Sequence, residues 1–451
     1  MVQKSRQLEL SFTNRGESPG EEPRGQAFPA ASVSRGSGTG SLMEEALSRP
    51  NLKRAWTRVK RNGGSPGIDG MTVDQLLDWL WEHWPRTRED LLAGRYRPQP
   101  VLRVEIPKRG GGKRNLGIPT VVDRLIQQAL LQVLQVRFDP TFSEHSHGFR
   151  PGRRAHDAIR EARQYVQGGK SWVVDVDLEK FFDRVNHDVL MGRLAKRIED
   201  RRVLRLIRRY LEAGVMADGV VLERHEGTPQ GGPLSPLLAN VLLDEVDREL
   251  ERRGHCFVRY ADDLRVFVGS KKAGDRVMRS LIGVFGRLRL RVNESKSAVD
   301  KAWKRPFLGL AFWVGRGRRI GIRVSGEALR ELKHRVRLLT KRMRGRSLRA
   351  VVEELRGYLL GWKAYFRLAE TPRVFRLLDE WVRHRLRAYQ LKQWKRGPTV
   401  FRKLRSLGLS VDGAARVAGN ARRWWHNSSM LLHSALANSY LAGLGLPNLA
   451  S

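Results

Sequence analysis

Acidic residues are scarce in this 451-residue chain: 47 Asp and Glu stand against 85 Lys and Arg, a formal net charge of +38. That imbalance excludes an ordinary metabolic enzyme and points to a polyanionic partner, nucleic acid above all. Of the cations, 66 are Arg and 19 are Lys. Arg offers a planar fork for phosphate oxygens and stacks on bases. Cysteine is nearly absent. Cys256 alone excludes an intramolecular disulfide and any Cys-rich zinc module, and it suggests a reducing compartment. No run of about 18 apolar residues occurs, so no membrane span is expected. The first residues, Met1 to Arg6, lack an apolar signal core. A complete Gly-x4-Gly-Lys-Ser/Thr phosphate loop is also missing, which argues against a nucleotide kinase. Internal repeats are absent. The expected setting is cytoplasmic.

What is present is ordered along the chain. Residues 13–41 are rich in Gly, Ser, Pro and Glu without an apolar period, so 1–41 reads as a disordered lead-in. A helical pattern runs from Leu42 to Asn62, where Gly63-Gly64-Ser65-Pro66-Gly67 breaks it. Residues 101–106 alternate like a strand, and Gly110-Gly111-Gly112 makes a basic turn between Lys108 and Lys113-Arg114. Val122 to Phe138 reads as a mostly buried helix. Two β signals follow: Ser171 to Asp177, and a hairpin of Phe257–Tyr260 and Leu264–Val268 with acid at its tip. The composition then shifts. Residues 301–451 carry 33 Lys and Arg against 8 Asp and Glu, so +25 of the net charge lies there. Ser325 is expected to cap a helix with the stripe Leu329, Leu332, Val336, Leu339 and Met343. Ser347 is expected to cap a second, and Thr371-Pro372 to open a third: a basic helical bundle.

The chemistry lies in the acids. Asp177 ends a strand of Trp and Val, where an unpaired carboxylate would be costly. Asp262 and Asp263 sit in the hairpin turn, where Asp is more often a plain turn former. Three carboxylates at neighbouring strand ends of one sheet would make a hard-oxygen site suited to Mg²⁺. Two such ions can activate a 3′-hydroxyl and stabilise a leaving pyrophosphate. Asp175 shares a face with Asp177 by strict alternation, so period alone leaves both open.

The ordered blocks Gly67-Ile68-Asp69-Gly70, Ile106-Pro107-Lys108, Gly117-Ile118-Pro119, Asp123-Arg124, Gly148-Phe149-Arg150-Pro151-Gly152, Asp177 to Phe182, Gly227-Thr228-Pro229-Gln230-Gly231, Tyr260-Ala261-Asp262-Asp263 and Phe307-Leu308-Gly309 resemble the reverse transcriptase blocks of group II intron maturases. Leu355-Arg356-Gly357-Tyr358 and Trp362-Lys363 resemble that family's thumb, or maturase, domain. The resemblance spans about residues 42–390. It implies an α+β right-hand polymerase, with an N-terminal extension and fingers at 42–170 and a palm at 171–320. An α-helical thumb would follow at 321–395 and a small basic DNA-binding region at 396–451.

The resemblance also implies roles. Asp177, Asp262 and Asp263 would be the catalytic metal-binding acids, with Leu178 lending a carbonyl. Asp177 is chosen over Asp175 because the family places a bulky aromatic five residues later, here Phe182, whose ring would exclude a ribose 2′-OH. Lys108 and Arg114 would grip the triphosphate, Gln230 would lie against the nucleotide, and Lys296 would protonate pyrophosphate. Arg335, Lys341, Arg342 and Lys363 would contact nucleic-acid phosphates, and Trp424 and Trp425 would stack on bases. The implied cofactor is two Mg²⁺ ions, with Mn²⁺ able to substitute. The implied partners are group II intron RNA, a template RNA–primer duplex, target DNA and dNTPs, in a nucleoid-associated ribonucleoprotein without a membrane.

The implied form lacks the family's C-terminal endonuclease, because Cys256 is the only Cys and His426-Asn427 has no acid cluster beside it. Such a protein would not nick the second DNA strand. Three other readings stay open: a splicing factor that only binds RNA, an RNA-dependent RNA polymerase, and a host-recruited reverse transcriptase in repair or defence.

Overall fold

A computed structural model describes residues 42–107, 113–217, 220–222, 226–228, 231–428 and 432–450. The 1–41 lead-in, Lys108 and Gln230 lie outside the described residues, as does the Arg114 side chain. Helices and sheets alternate in an α+β fold. It forms two compact units, one reaching to Ala302 and the other starting at Trp303.

The first unit is built on a four-stranded antiparallel sheet in the order Cys256–Tyr260, Asp263–Val268, Trp172–Val176, Ala298–Lys301. Val and Phe at alternate positions drive one face into the core. The helix Lys271–Arg287 covers that face. Its Gly274 lies so close that a methyl group there would stand 2.4 Å from Val299 Cγ1 and 3.5 Å from Val174. The acids occupy the other face. A second sheet pairs Val101–Pro107 with Lys113–Ile118 and, in parallel, with Val215–Ala217.

The expected helix over 42–62 is two helices, Leu42–Ala46 and Arg49–Asn62. Pro50, in the first turn of the second, has no N–H to continue the first. Helix Val121–Phe138 is buried along most of its length and is capped by Thr120, whose side chain accepts from the Asp123 amide. Asp123 is a structural acid. It accepts from Tyr96 Oη at 2.9 Å, Tyr210 Oη at 3.1 Å and Thr120 Oγ1 at 2.8 Å. Burial pushes its carboxyl up, against the pull of those bonds. Arg124 donates to the Gly63 and Ser65 carbonyls and so pins the glycine break. Helix Ser235–Arg252 begins with Ser235 and Pro236 in its first turn.

In the second unit, strands Leu310–Val314 and Ile320–Val324 form a two-stranded antiparallel sheet. The expected palm, 171–320, takes in the first of these strands, and the boundary between the compact units falls at 302/303. Tyr365 Oη donates to the Leu308 carbonyl at 2.9 Å, tying the hairpin to the helices. Ser325 caps Gly326–Leu339 and Ser347 caps Leu348–Phe366. Met343 lies beyond the first of these helices and is 84% exposed, so it is not part of the stripe. Pro372 opens the long helix to Trp394 without a Thr371 side-chain cap. The short helices after residue 396 share a core with that helix: Leu391 packs with Val400, Leu404, Val417 and Leu432. No described helix is long and apolar enough to cross a membrane.

Candidate active site

The sheet register decides which acids meet. Strand Trp172–Val176 runs antiparallel to Asp263–Val268, with Val176 opposite Leu264 and Asp175 opposite Arg265. Asp177, one residue past Val176, therefore comes level with Asp263, one residue before Leu264. Asp175, Asp177, Asp263 and Arg265 share one face.

Asp177 is held by its main chain. Its N–H donates to Ser297 Oγ at 3.0 Å, and its carbonyl accepts from the Asn293 amide at 2.8 Å. The same turn brings Lys296 Nζ to 3.9 Å from Asp177 Oδ1, so the two predicted residues do come together. The Asp177 side chain is 42% exposed and can turn toward a ligand. Leu178 bridges to Val292, which fixes the direction of its peptide.

Asp175 is a different acid. Its side chain is 8% exposed, and Arg265 Nη1 stands 2.8 Å from its Oδ2. The choice that alternation leaves open is thereby weighted toward Asp177, since Asp175 is already neutralised inside the protein. Arg265 Nε also donates to Asp263 Oδ1 at 3.2 Å. Burial is the main force that pushes the Asp263 carboxyl up to about 6. Arg265 opposes the shift, while the neighbouring Asp175 and Asp262 charges add to it.

The hairpin tip is braced from behind. Ala261 is left-handed at φ 59, a strained conformation for a residue with a Cβ. Gly148 packs beneath it, where a methyl group would stand 2.1 Å from the Ala261 nitrogen. The segment around Gly148 hydrogen-bonds to the hairpin: the His147 amide donates to the Arg259 carbonyl, and the Arg259 amide to the His145 carbonyl. The Arg259 guanidinium bonds Asp247 at 2.8 Å through Nε, Asn240 Oδ1 at 2.9 Å and the Ala261 carbonyl at 2.9 Å. Arg150 ties the same loop through Asp139 and the Ser143 and Ser146 carbonyls.

Phe182 is buried against Phe181, with ring centroids 5.0 Å apart. Its carbonyl accepts from the Thr228 amide at 2.7 Å, so the Gly227-Thr228 segment runs beside it. Gly227, at φ 92, has no room for a side chain: a Cβ would meet the Asp183 carbonyl oxygen at 2.8 Å.

In the second unit, Trp424 packs on the C-terminal core and lies beneath two cations, Arg342 at 5.0 Å and Lys392 at 4.3 Å from its ring centre. Trp425 stacks on His384 at 3.7 Å and stays exposed. Lys341 and Arg342 are exposed and Arg335 is half-buried. Lys363 Nζ donates to the Asn448 carbonyl at 2.9 Å. Trp381, which sequence reasoning passed over, has Lys333, Arg337 and Arg385 all within 5.9 Å of its ring centre.

Among the described residues no three His, Cys, Asp or Glu side chains converge closely enough to chelate an ion by themselves. The donor set still fits Mg²⁺, which is commonly held by one or two carboxylates plus substrate phosphates rather than by an all-protein cage. All the donors are oxygens, and the like-charge crowding felt by Asp263 is what a bound cation relieves.

Arg265 and Arg259 escaped the reading of the sequence. A signal for Arg265 was present: one cation in the apolar run Leu264–Val268 and one acid in the apolar run Val173–Val176 invite pairing.

The family model for reverse transcriptase (RNA-dependent DNA polymerase) matches residues 106–312, and that for the group II intron maturase-specific domain matches residues 329–408. Protein YkfC of Escherichia coli strain K12 is 33% identical over 282 residues, covering 54% of this chain and 74% of YkfC. The group II intron-encoded protein LtrA of Lactococcus lactis subsp. cremoris is 42% identical over 204 residues, 45% of this chain and 34% of LtrA. The chain thus spans most of the first relative and about a third of the second.

Proposed function

We propose that this chain, which belongs to the reverse transcriptase family and carries a group II intron maturase-specific domain, is an RNA-directed DNA polymerase that binds group II intron RNA, assists its splicing and copies it into DNA. The observation that carries this reading is the end of the antiparallel sheet. There Asp177 comes level with Asp263, and Asp262 precedes Asp263 in the hairpin turn, within the segment that the reverse transcriptase model matches.

Asp177, Asp262 and Asp263, with the Leu178 carbonyl, would hold the divalent cations, Mg²⁺ or Mn²⁺, which when bound activate the primer 3′-hydroxyl and neutralise the leaving pyrophosphate. The remaining work falls to the chain. The turn containing Asn293 and Ser297 fixes the Asp177 main chain, so its carboxylate needs only a side-chain rotation to engage. Lys296, beside Asp177, supplies an exposed ammonium for the leaving phosphates. Lys108, Arg114 and Gln230 would hold the dNTP. Arg335, Lys341, Arg342, Lys363, Trp424 and Trp425 would hold template RNA–primer duplex, intron RNA and target DNA. The working particle is a ribonucleoprotein in the cytoplasm, associated with the nucleoid.

Primer extension on an RNA template with dNTPs and Mg²⁺ tests the reading. Template-dependent extension is expected, and RNA binding without any extension would leave a splicing factor only. Within this assay Phe182→Ala is expected to raise the rNTP/dNTP ratio of kcat/KM, because the ring would no longer crowd a 2′-OH. The ratio is the proper readout. Truncating a buried Phe also costs about 3–5 kcal/mol of stability, which lowers both rates alike. An unchanged ratio in a folded, active variant removes Phe182 from sugar selection.

RNA affinity is expected to fall steeply with salt. Neutralising Lys341 and Arg342 should reduce the slope of log K against log salt by about 0.7–0.9 for each phosphate that is no longer paired. A slope unmoved by both substitutions would take these residues out of the interface.

A further inference from the structure

Arg265 is hard to account for by stability. It stands between Leu264 and Val266, both buried, and its own side chain is 7% exposed. Its register partner across the strands is Asp175, equally buried. A well-packed hydrophobic pair at such a place is commonly as stable as the ion pair, or more so. What the ion pair supplies that an apolar pair cannot is a rigid charged fork aimed in one direction. One end, Nη1, is 2.8 Å from the buried Asp175 carboxylate. The other, Nε, reaches the Asp263 carboxylate at 3.2 Å, and the Asp263 side chain is 37% exposed. Arg265 therefore joins an inner acid, shut off from solvent, to an outer acid at the mouth of the site.

We propose that Arg265, anchored from behind by Asp175, is a positioning residue for Asp263: it aims that carboxylate, and its fixed charge sets how strongly the acidic end of the sheet attracts divalent cations. The inference rests on the polymerase reading above. Its consequence is a pair of opposite signs. Removing Arg265 deletes one positive charge beside the metal-binding acids, so at a pH where Asp175 stays ionised cations bind more tightly even though Asp263 is no longer aimed. Removing the charge of Asp175 leaves the Arg265 charge uncompensated, so cations bind more weakly. A residue that only holds the fold together cannot produce opposite shifts from the two ends of one ion pair.

The test uses the full-length protein without nucleic acid or nucleotide. Free Mn²⁺ is followed by electron paramagnetic resonance during titration, alongside the thermal unfolding midpoint in EDTA and primer-extension kinetics. Arg265→Met is expected to tighten Mn²⁺ binding by about three- to tenfold while kcat falls about tenfold through misplacement of Asp263. Asp175→Asn is expected to weaken Mn²⁺ binding by a similar factor. The double variant should return to within about twofold of the parental affinity, because both charges of the pair are gone, with kcat still low. Arg265→Lys keeps the charge and loses the fork, so Mn²⁺ affinity should hold while kcat falls. It also serves if Arg265→Met does not fold. Shifts of the same sign in Arg265→Met and Asp175→Asn, or affinities that merely follow the unfolding midpoints, would overturn the proposal. If the parental protein extends no primer and Asp262→Ala leaves its Mn²⁺ binding unchanged, the polymerase reading falls and takes this inference with it. Parental activity with unmoved Mn²⁺ affinity in every variant overturns this inference alone.

Discussion

RNA-templated DNA synthesis by Asp262→Ala, and by Asp177→Ala, is expected to fall by about 10³-fold or more, while RNA affinity stays within about twofold of the parental value. The size follows from the role. A carboxylate that holds the metal stabilises charge that develops at the reacting phosphate, worth several kcal/mol, and each 1.36 kcal/mol is tenfold in rate. The specificity follows from the structure. The hydrogen bonds that fix residue 177 run through its own N–H and carbonyl to Ser297 and Asn293, not through its side chain. Truncation at Cβ leaves that framework intact. RNA affinity is carried elsewhere, by phosphate contacts from Arg and Lys, and loss of an acid does not weaken those. Single-turnover primer extension and filter binding measure the two quantities separately. Extension by Asp262→Ala within tenfold of the parental rate would remove Asp262 from the chemistry.

Arg259→Met is expected to lower stability by about 3–5 kcal/mol, a large share of the total that holds a domain folded. The reason is the partner it abandons. Asp247 has no exposed side-chain surface, and its Oδ2 lies 2.5 Å from Arg259 Nη2. Burial alone would push the Asp247 carboxyl up, and Arg259 is the charge that pulls it back. Without that charge, the acid must sit unpaired in the core or take up a proton. The paired substitution Arg259→Met with Asp247→Leu removes both charges and should recover most of the lost stability. It should not recover polymerase activity, because the Ala261 carbonyl in the strained hairpin turn still lacks its donor. Thermal unfolding and primer extension, run on both variants, separate the two effects. Equal stability of Arg259→Met and the parental protein would mean that the ion pair carries nothing.

The acids themselves were legible because their surroundings are local. Asp177 follows four residues of Trp and Val with one interruption, and Asp262-Asp263 lies between two apolar runs. A carboxylate at the end of an apolar strand announces itself without any knowledge of the fold. Helix starts were legible for the same reason: Ser325 and Ser347 each accept from the amide three residues on. Failures came where one residue outweighed a period. Pro50 splits the helix expected over 42–62, and Met343 keeps the spacing of a helix that has already ended at Leu339.

Charge, the order of strands and helices, and the positions of three acids at strand ends are properties of the sequence by itself. They rest on composition and on spacings of two to four residues, which the backbone geometry of a strand or helix turns directly into faces. The tertiary structure alone decided what those faces meet. Asp175 and Asp177 are equivalent by alternation, yet one is buried and paired to Arg265 at 2.8 Å while the other is 42% exposed with Lys296 at 3.9 Å. Arg259 and Asp247, twelve residues apart, bury each other. Gly148 lies more than a hundred residues before Ala261 and still sets how closely the hairpin turn is packed. No spacing encodes such partners, because burial acts on whichever charges the chain topology brings together, and an unpaired charge in the core costs too much to leave alone.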